Sequence, residues 1–316
     1  MTHEQSQERD MLRASVAALV DKHAGPEAVR AAMASPKGYD EKLWHLLCDQ
    51  VGAAALVVPE KFGGAGGELG DAAVVLEQLA KNLVPTPLLG TTLAQVALLS
   101  AGIHEPLEDL AAGTSIGTVV FDPDYVLNGQ IADVVIAAGT AGALTRWSNV
   151  TVTPATAMDP TRPLAAVAAG HIEELGTDPG LLDTAAILLA AEQVGAAARC
   201  LDLTVAYTKD RVQFGRPIGS FQALKHRMSD MYVMVSAARA VVADAIAAPD
   251  PTSAALARFT ATEAFNDIAA EAIQLHGGIA ITWEHDIQLY FKRAHGSAQL
   301  LGPSRDWLRR LSSVAL

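Results

Sequence analysis

The chain has 316 residues, enough for two or three packed regions and a sizeable interior. Its formal charge of −12, from 23 basic and 35 acidic residues, speaks against general attraction to nucleic acid or an anionic membrane. Any phosphate-bearing ligand must therefore be met by a few placed cations. Half the residues are hydrophobic but only 5% are aromatic, and alanine recurs throughout, which favours closely packed helices over a β-rich fold.

Apolar spacing with Pro and Gly punctuation predicts helices over 9–22, 27–33, 40–51, 69–83 and 88–101, an N-terminal helical domain assigned to 1–110. Within it, VVPEKFGGAGGELG (57–70) cannot be regular helix. It reads either as a helix connector or as backbone able to approach another surface closely. From about Gly113, short β-branched runs with turn signals (IGTVVFD, ADVVIAAG, NVTVTPA, PLAAVAAG) predict a small β region, assigned to 111–178. The helical pattern then returns over 183–211, 221–247, 252–276, 284–294 and 304–313, consistent with an antiparallel bundle assigned to 179–316. Cys48 and Cys200 lie far apart in apolar helical patterns, so neither a disulfide framework nor a metal site is expected, and a reducing cytosol is the default. The polar start MTHEQSQERD carries no apolar targeting segment. The run 185–201, interrupted by Glu192 and Arg199, reads as a buried helix rather than a membrane span.

Two segments stand out: YTKDRVQFGRPIGSFQALKHRMSDMY (207–232) and EAIQLHGGIAITWEHDIQLYFKRAH (271–295). Arg211, at the end of a long helix, offers a planar donor fork that can take a pyrophosphate bidentately, and Gln213 and Gln222 can add neutral hydrogen bonds. Gly277 and Gly278 lack Cβ atoms and let backbone N–H groups approach a nucleotide, while Gln274 lies one turn earlier. Singly, each residue has a plainer reading. Arg211 could close its helix against the dipole, the glycines could be a helix stop, Phe214 could be core, and His226 a solvated or capping cation.

In combination the two segments resemble the acyl-CoA dehydrogenase family. Arg211, Gln213, Phe214, Gly215 and Gln222 match its R-x-x-F-G…Q segment, and Gln274, Leu275, Gly277 and Gly278 match its Q-x-x-G-G segment. LVVPEKFGGAGG also resembles the family's loop after its early helices. The resemblance implies a mainly α fold of N-terminal helical domain, small β domain and C-terminal antiparallel bundle. It also implies α,β-dehydrogenation of an acyl-CoA thioester, with electrons passed to an electron-transfer flavoprotein or similar acceptor. The matched residues would grip the adenosine-pyrophosphate part of an FAD held mainly by a neighbouring subunit.

The reaction needs a carboxylate base within about 3 Å of the α proton. Counting forward from Gly278 places the family's usual Glu slot at Leu301, and counting back from Arg211 places the alternative slot at Ala185. Neither holds an acid. The nearest carboxylates are Asp183, which reads as an N-cap, and Glu192, two turns beyond Ala185 on about the same face, which reads as a buried hydrogen-bonding residue. The flavin-cradle segments, T-E-P-x-x-G-S-D-like and W-x-T-N-like, are also missing between 112 and 150, so the middle domain looks trimmed. This pattern resembles the shortened subunit of actinobacterial heteromeric (α2β2) acyl-CoA dehydrogenases, assemblies similar to enzymes of steroid side-chain oxidation. The expectation is a cytoplasmic subunit without its own base, completed by a second acyl-CoA dehydrogenase chain that carries the catalytic Glu. Two alternatives stay open: a self-sufficient homo-oligomer using Asp183 or Glu192, and a non-catalytic scaffold or acyl-CoA-binding protein.

Overall fold

In the computed structural model, which describes residues 3–139 and 142–314, the chain opens with α1 (His3–His23), α2 (Pro26–Ala34), α3 (Glu41–Val51), α4 (Leu69–Lys81), α5 (Leu88–Ser100) and α6 (Leu107–Ala112). Helix α1 starts earlier than its apolar period because its polar first turns dock on the start of α4. Arg9 pairs with Asp71 and Glu68, each at 2.8 Å, and Gln5 donates to Glu68. Six-residue α6 is too short to show a period and was not anticipated. The glycines of 57–70 turn out to serve the loop itself: a Cβ at Gly64 would overlap the Val58 carbonyl, and one at Gly67 would lie 2.9 Å from the Leu56 carbonyl oxygen.

Seven strands follow: β1 (Gly117–Val120), β2 (Val126–Leu127), β3 (Val134–Ala138), β4 (Ala143–Ser148), β5 (Thr151–Ala155), β6 (Leu164–Ala168) and β7 (His171–Thr177). One sheet has the order β1-β3-β4-β7, with β1 and β3 parallel and the other pairs antiparallel; the second has the order β2-β6-β5. Val120, Val135 and Ala137 of the first sheet share a small core with Val126, Ala165 and Val167 of the second. Strand β7 was not foreseen because nearly every residue in it is exposed, which removes the alternation that marks a half-buried strand.

The rest is α7 (Leu181–Asp210), the hairpin β8 (Val212–Gln213) and β9 (Arg216–Pro217), then α8 (Gln222–Ala247), α9 (Pro251–His276), α10 (Ile287–Gln299) and α11 (Ser304–Val314). The reading of Asp183 as an N-cap is corrected. Asp178 Oδ1 accepts from the N–H groups of Gly180 (3.0 Å) and Leu181 (2.9 Å), so α7 begins two residues earlier and Asp183 pairs with Arg310 at 2.7 Å. Helix α10 runs on past its expected stop at 294. Its Gly296 passes so close to Asp159 that a Cβ would lie 3.1 Å from the aspartate's own. Helix α7 is the centre of the main core. Ala185, Ala186, Ala190, Ala191, Ala196 and Ala197 let neighbours approach on several faces, and a Cβ at Gly195 would overlap the Glu77 carbonyl of α4. Among the described residues α7 is the one helix long and apolar enough to cross a bilayer, yet 78% of its most apolar window is buried within the molecule, as in a core helix.

Candidate functional site

Where α7 ends, Arg211 takes an extended conformation (φ −71°, ψ 117°) and its N–H donates to the Tyr207 carbonyl at 2.9 Å. The chain then reverses between the paired residues Gln213 and Arg216 through Phe214 (φ 54°) and Gly215 (φ 75°). Two left-handed residues are what a two-residue type I′ hairpin requires; glycine adopts that geometry freely, whereas an aromatic residue does so at a cost. Phe214 is also 92% exposed, so its reading as a core residue is corrected. Bulky side chains held in this backbone region, and in water, cluster at sites where the surroundings or a ligand compensate. Arg211, Gln213 and Gln222 are all exposed. Gln213 Nε2 donates to its neighbour Val212 O at 2.8 Å, while among the described residues the side chains of Arg211, Gln222 and Gln274 have no hydrogen bond or ion pair.

Helix α9 stops at His276 because Gly277 has φ 65° and ψ −145°, a conformation almost confined to glycine. The next glycine has a different reason to be there. A Cβ at Gly278 would meet nothing within 4 Å, so the chain's own packing does not demand glycine and the space lies open to something from outside. Gln274 is exposed one turn earlier, whereas Leu275 is only 6% exposed and lies in the main core, so its side chain packs inward rather than facing a cofactor.

Tyr207, which the sequence reading missed, ties the two segments together. Its hydroxyl donates to the His276 carbonyl at 3.2 Å, and its ring stacks on the His276 imidazole at 4.3 Å and 24°. His285 sits 4.7 Å from the same imidazole. Since the Tyr207 backbone carbonyl also receives the Arg211 N–H, this one residue joins the residue before Gly277, through its side chain, to the turn that carries Arg211, through its carbonyl. Burial pushes the His276 pKa down to about 4, so the ring is neutral at pH 7, with Nδ1 2.7 Å from the Ala272 carbonyl. The spacing of Tyr207, one turn before Arg211, was the available signal.

The two base slots converge. Ala185 and Leu301, 116 positions apart in sequence by subtraction of their numbers, line one apolar cavity together with Leu89, Leu93, Phe121 and Leu189. Its volume is about 20 Å³, room for a single water and far too little for an acyl group. No carboxylate lines it. Leu301 adopts φ 62° and its carbonyl accepts from Trp307 Nε1 at 3.2 Å. Glu192 is engaged elsewhere: its Oε1 accepts from Arg293 Nη1 at 2.7 Å and from Arg162 Nη2.

Residues 6–106 match the model for the acyl-CoA dehydrogenase N-terminal domain, and residues 180–310 match that for the acyl-CoA dehydrogenase C-terminal domain. The chain is 70% identical over 308 residues to acyl-CoA dehydrogenase IpdE2 of Mycolicibacterium smegmatis, covering 98% of this chain and 99% of that relative. It is 67% identical over 309 residues to acyl-CoA dehydrogenase IpdE2 of Mycobacterium tuberculosis, covering 97% of each. Among solved structures it is similar to the ChsE4-ChsE5 complex from Mycobacterium tuberculosis, at 26% identity and a TM-score of 0.89, covering 100% of this chain and 98% of that one. It is similar also to a variant of the Tcur3481-Tcur3483 steroid ACAD, at 26% identity and a TM-score of 0.90, covering 98% of each.

Proposed function

The chain belongs to the acyl-CoA dehydrogenase family, and we propose that it is one subunit of a two-chain, FAD-dependent enzyme whose carboxylate base comes from the other chain. The observation that carries this reading is the apolar cavity shared by Ala185 and Leu301. Proton abstraction α to a thioester needs a carboxylate within hydrogen-bond reach, and here both family slots face one another across about 20 Å³ with no acid between them. Asp183 and Glu192 are ion-paired to arginines away from that cavity.

The opposite end of the bundle has the complementary character. Arg211 would take the pyrophosphate of FAD in its donor fork, Gln213, Gln222 and Gln274 would add neutral hydrogen bonds, and the open space at Gly278 would let backbone N–H groups reach the nucleotide. FAD, when bound, supplies the acceptor for the β hydrogen. These groups lie on the surface of this chain, so the remaining walls of the site belong to a second surface, and the exposed, strained Phe214 lies in the same hairpin segment. A second chain of the same family fits, as in the two-chain ChsE4-ChsE5 complex, and the steroid ACAD similarity makes a steroid-derived acyl-CoA the proposed substrate class. An electron-transfer flavoprotein or similar acceptor would reoxidise the flavin, in the cytoplasm. The division into 1–110, 111–178 and 179–316 is part of the same proposal.

Native mass measurement with a flavin absorbance count tests it. The expected result is a heterotetramer with two FAD, active on an acyl-CoA, while this chain purified alone dehydrogenates none. A homotetramer of this chain carrying four flavins and turning over acyl-CoA would refute it.

A further inference from the structure

We propose that a second cavity, enclosed by α4, α7, α10 and the segments before β6 and after β2, is a buried site for one chloride-sized monovalent anion held by Arg162 and Asn128. It encloses about 30 Å³, with Thr86, Thr161, Glu192 and Arg293 also in its wall. Leu89 and Leu127 line both this cavity and the apolar one at Ala185 and Leu301. A single water needs roughly 10–15 Å³ of such space, so an ion somewhat larger than water fits while a polyatomic ligand such as a nucleotide does not.

Charge is the first argument. The buried charged side chains among the described residues are Arg162, Arg258 and Arg293 against Asp159 and Glu192, three cations and two anions. Glu192 serves Arg162 and Arg293, and Asp159 serves Arg293 at 2.8 Å. Arg258 has no carboxylate at all: it donates to the carbonyls of Ser297 (2.5 Å) and Leu300 (2.7 Å) and to Gln193 Oε1 (2.7 Å). An uncompensated charge in the interior is costly; Arg258 does not itself line the cavity, but it is close enough to Arg162 for the two charges to oppose each other, and an anion beside Arg162 relieves that repulsion. Burial lowers the pKa of Arg258 to about 9 and lowers that of Arg162 as well, in each case chiefly by desolvation, as expected where the carboxylates do not balance the guanidiniums.

Unused donors are the second argument. Arg162 Nη1 and Asn128 Nδ2 have no hydrogen-bond partner in the protein, although their residues are only 7% and 5% exposed and both line the cavity. Two unused, buried N–H donors on residues that line one small cavity can give an anion the charge-assisted hydrogen bonds it needs. The carboxylate in the wall, Glu192, is already neutralised by its two arginines. This inference concerns the interior of the chain and stands apart from the shared-flavin reading.

The test uses bromide on the protein as purified, in halide-free buffer. At constant ionic strength, sodium bromide should raise the denaturation midpoint saturably over sodium gluconate, as binding linkage requires. Bromide-soaked crystals should show an anomalous peak between Arg162 and Asn128. Asn128→Asp, which keeps the shape and tolerates a left-handed backbone, sets a carboxylate in the cavity and should abolish both the bromide shift and the peak. A water only, seen as no anomalous peak together with equal midpoints in bromide and gluconate, would overturn the proposal. So would a bromide shift that persists unchanged in folded Asn128→Asp.

Discussion

Replacing Arg211 with alanine isolates the cofactor grip from the fold. Its side chain is exposed and makes no bond within the described chain, so its loss should change folding stability by no more than about 0.5 kcal/mol. If the fork holds the FAD pyrophosphate at the subunit junction, the lost charge-assisted contact is worth about 1.5–3 kcal/mol, or roughly 10–150-fold in affinity at about 1.4 kcal/mol per decade. Arg211→Lys keeps the charge but loses the planar fork and should fall between wild type and Arg211→Ala. The assay is titration of FAD into the deflavinated two-chain complex, followed by flavin fluorescence, with chemical denaturation of each variant in parallel. Equal FAD affinity in wild type and Arg211→Ala, with folding intact, would refute the assignment of Arg211 to the cofactor.

Three further outcomes are expected. Glu192→Gln leaves two buried guanidiniums without their shared carboxylate and should cost about 3–5 kcal/mol in denaturant unfolding while turnover per bound flavin is unchanged; lost turnover with stability intact would make Glu192 the base instead. Gly277→Ala should destabilise the chain itself by about 1–3 kcal/mol because of its φ of 65°, whereas Gly278→Ala should leave the melting temperature unchanged and weaken FAD binding in the complex, a contrast that calorimetry and flavin titration resolve. The His276 pKa is lowered from 6.5 to about 4 by burial, so below pH 6.5 the unfolded chain takes up a proton that the folded chain refuses. Stability present above pH 6.5 is therefore lost as pH falls towards 4, by on the order of 3 kcal/mol, and His276→Phe, which keeps a stacking ring on Tyr207, should flatten that acid limb in denaturation scans.

What the sequence made legible was whatever repeats along one element. The long helices α7, α8 and α9 showed their period, and the residues proposed for the cofactor grip stand at fixed spacings within two short segments. Convergence across the fold was not legible. The network of Asp159, Thr161, Arg162, Glu192 and Arg293 draws on one connecting segment and two helices, with Glu192 and Arg293 lying 101 positions apart, and no local pattern encodes it. Glu192 lies on the face of α7 that counting from Ala185 assigned to it, yet what it does was decided by Arg162 and Arg293, which counting could not see. Strand β7 and the short α6 escaped for the simpler reason that neither buries a periodic face long enough to read.

The contrast between a closed slot and an open grip follows from what each demands of a chain on its own. A carboxylate at position 301 would face a cavity of about 20 Å³ walled mainly by apolar side chains, where the one hydroxyl, of Thr118, already donates to the Leu127 carbonyl, and would carry a largely unrelieved desolvation penalty. Leucine there removes that penalty. The grip demands nothing comparable. Arg211, Gln222 and Gln274 remain hydrated until a ligand arrives, and the room beside Gly278 takes no core volume. If, as proposed, a partner chain carries out the proton transfer, this chain can let its interior close while keeping its surface donors, because the first change stabilises the isolated fold and the second the assembly. Any free energy of FAD binding across the junction then accrues to the pair and to neither chain alone, which makes flavin loading and subunit association one equilibrium.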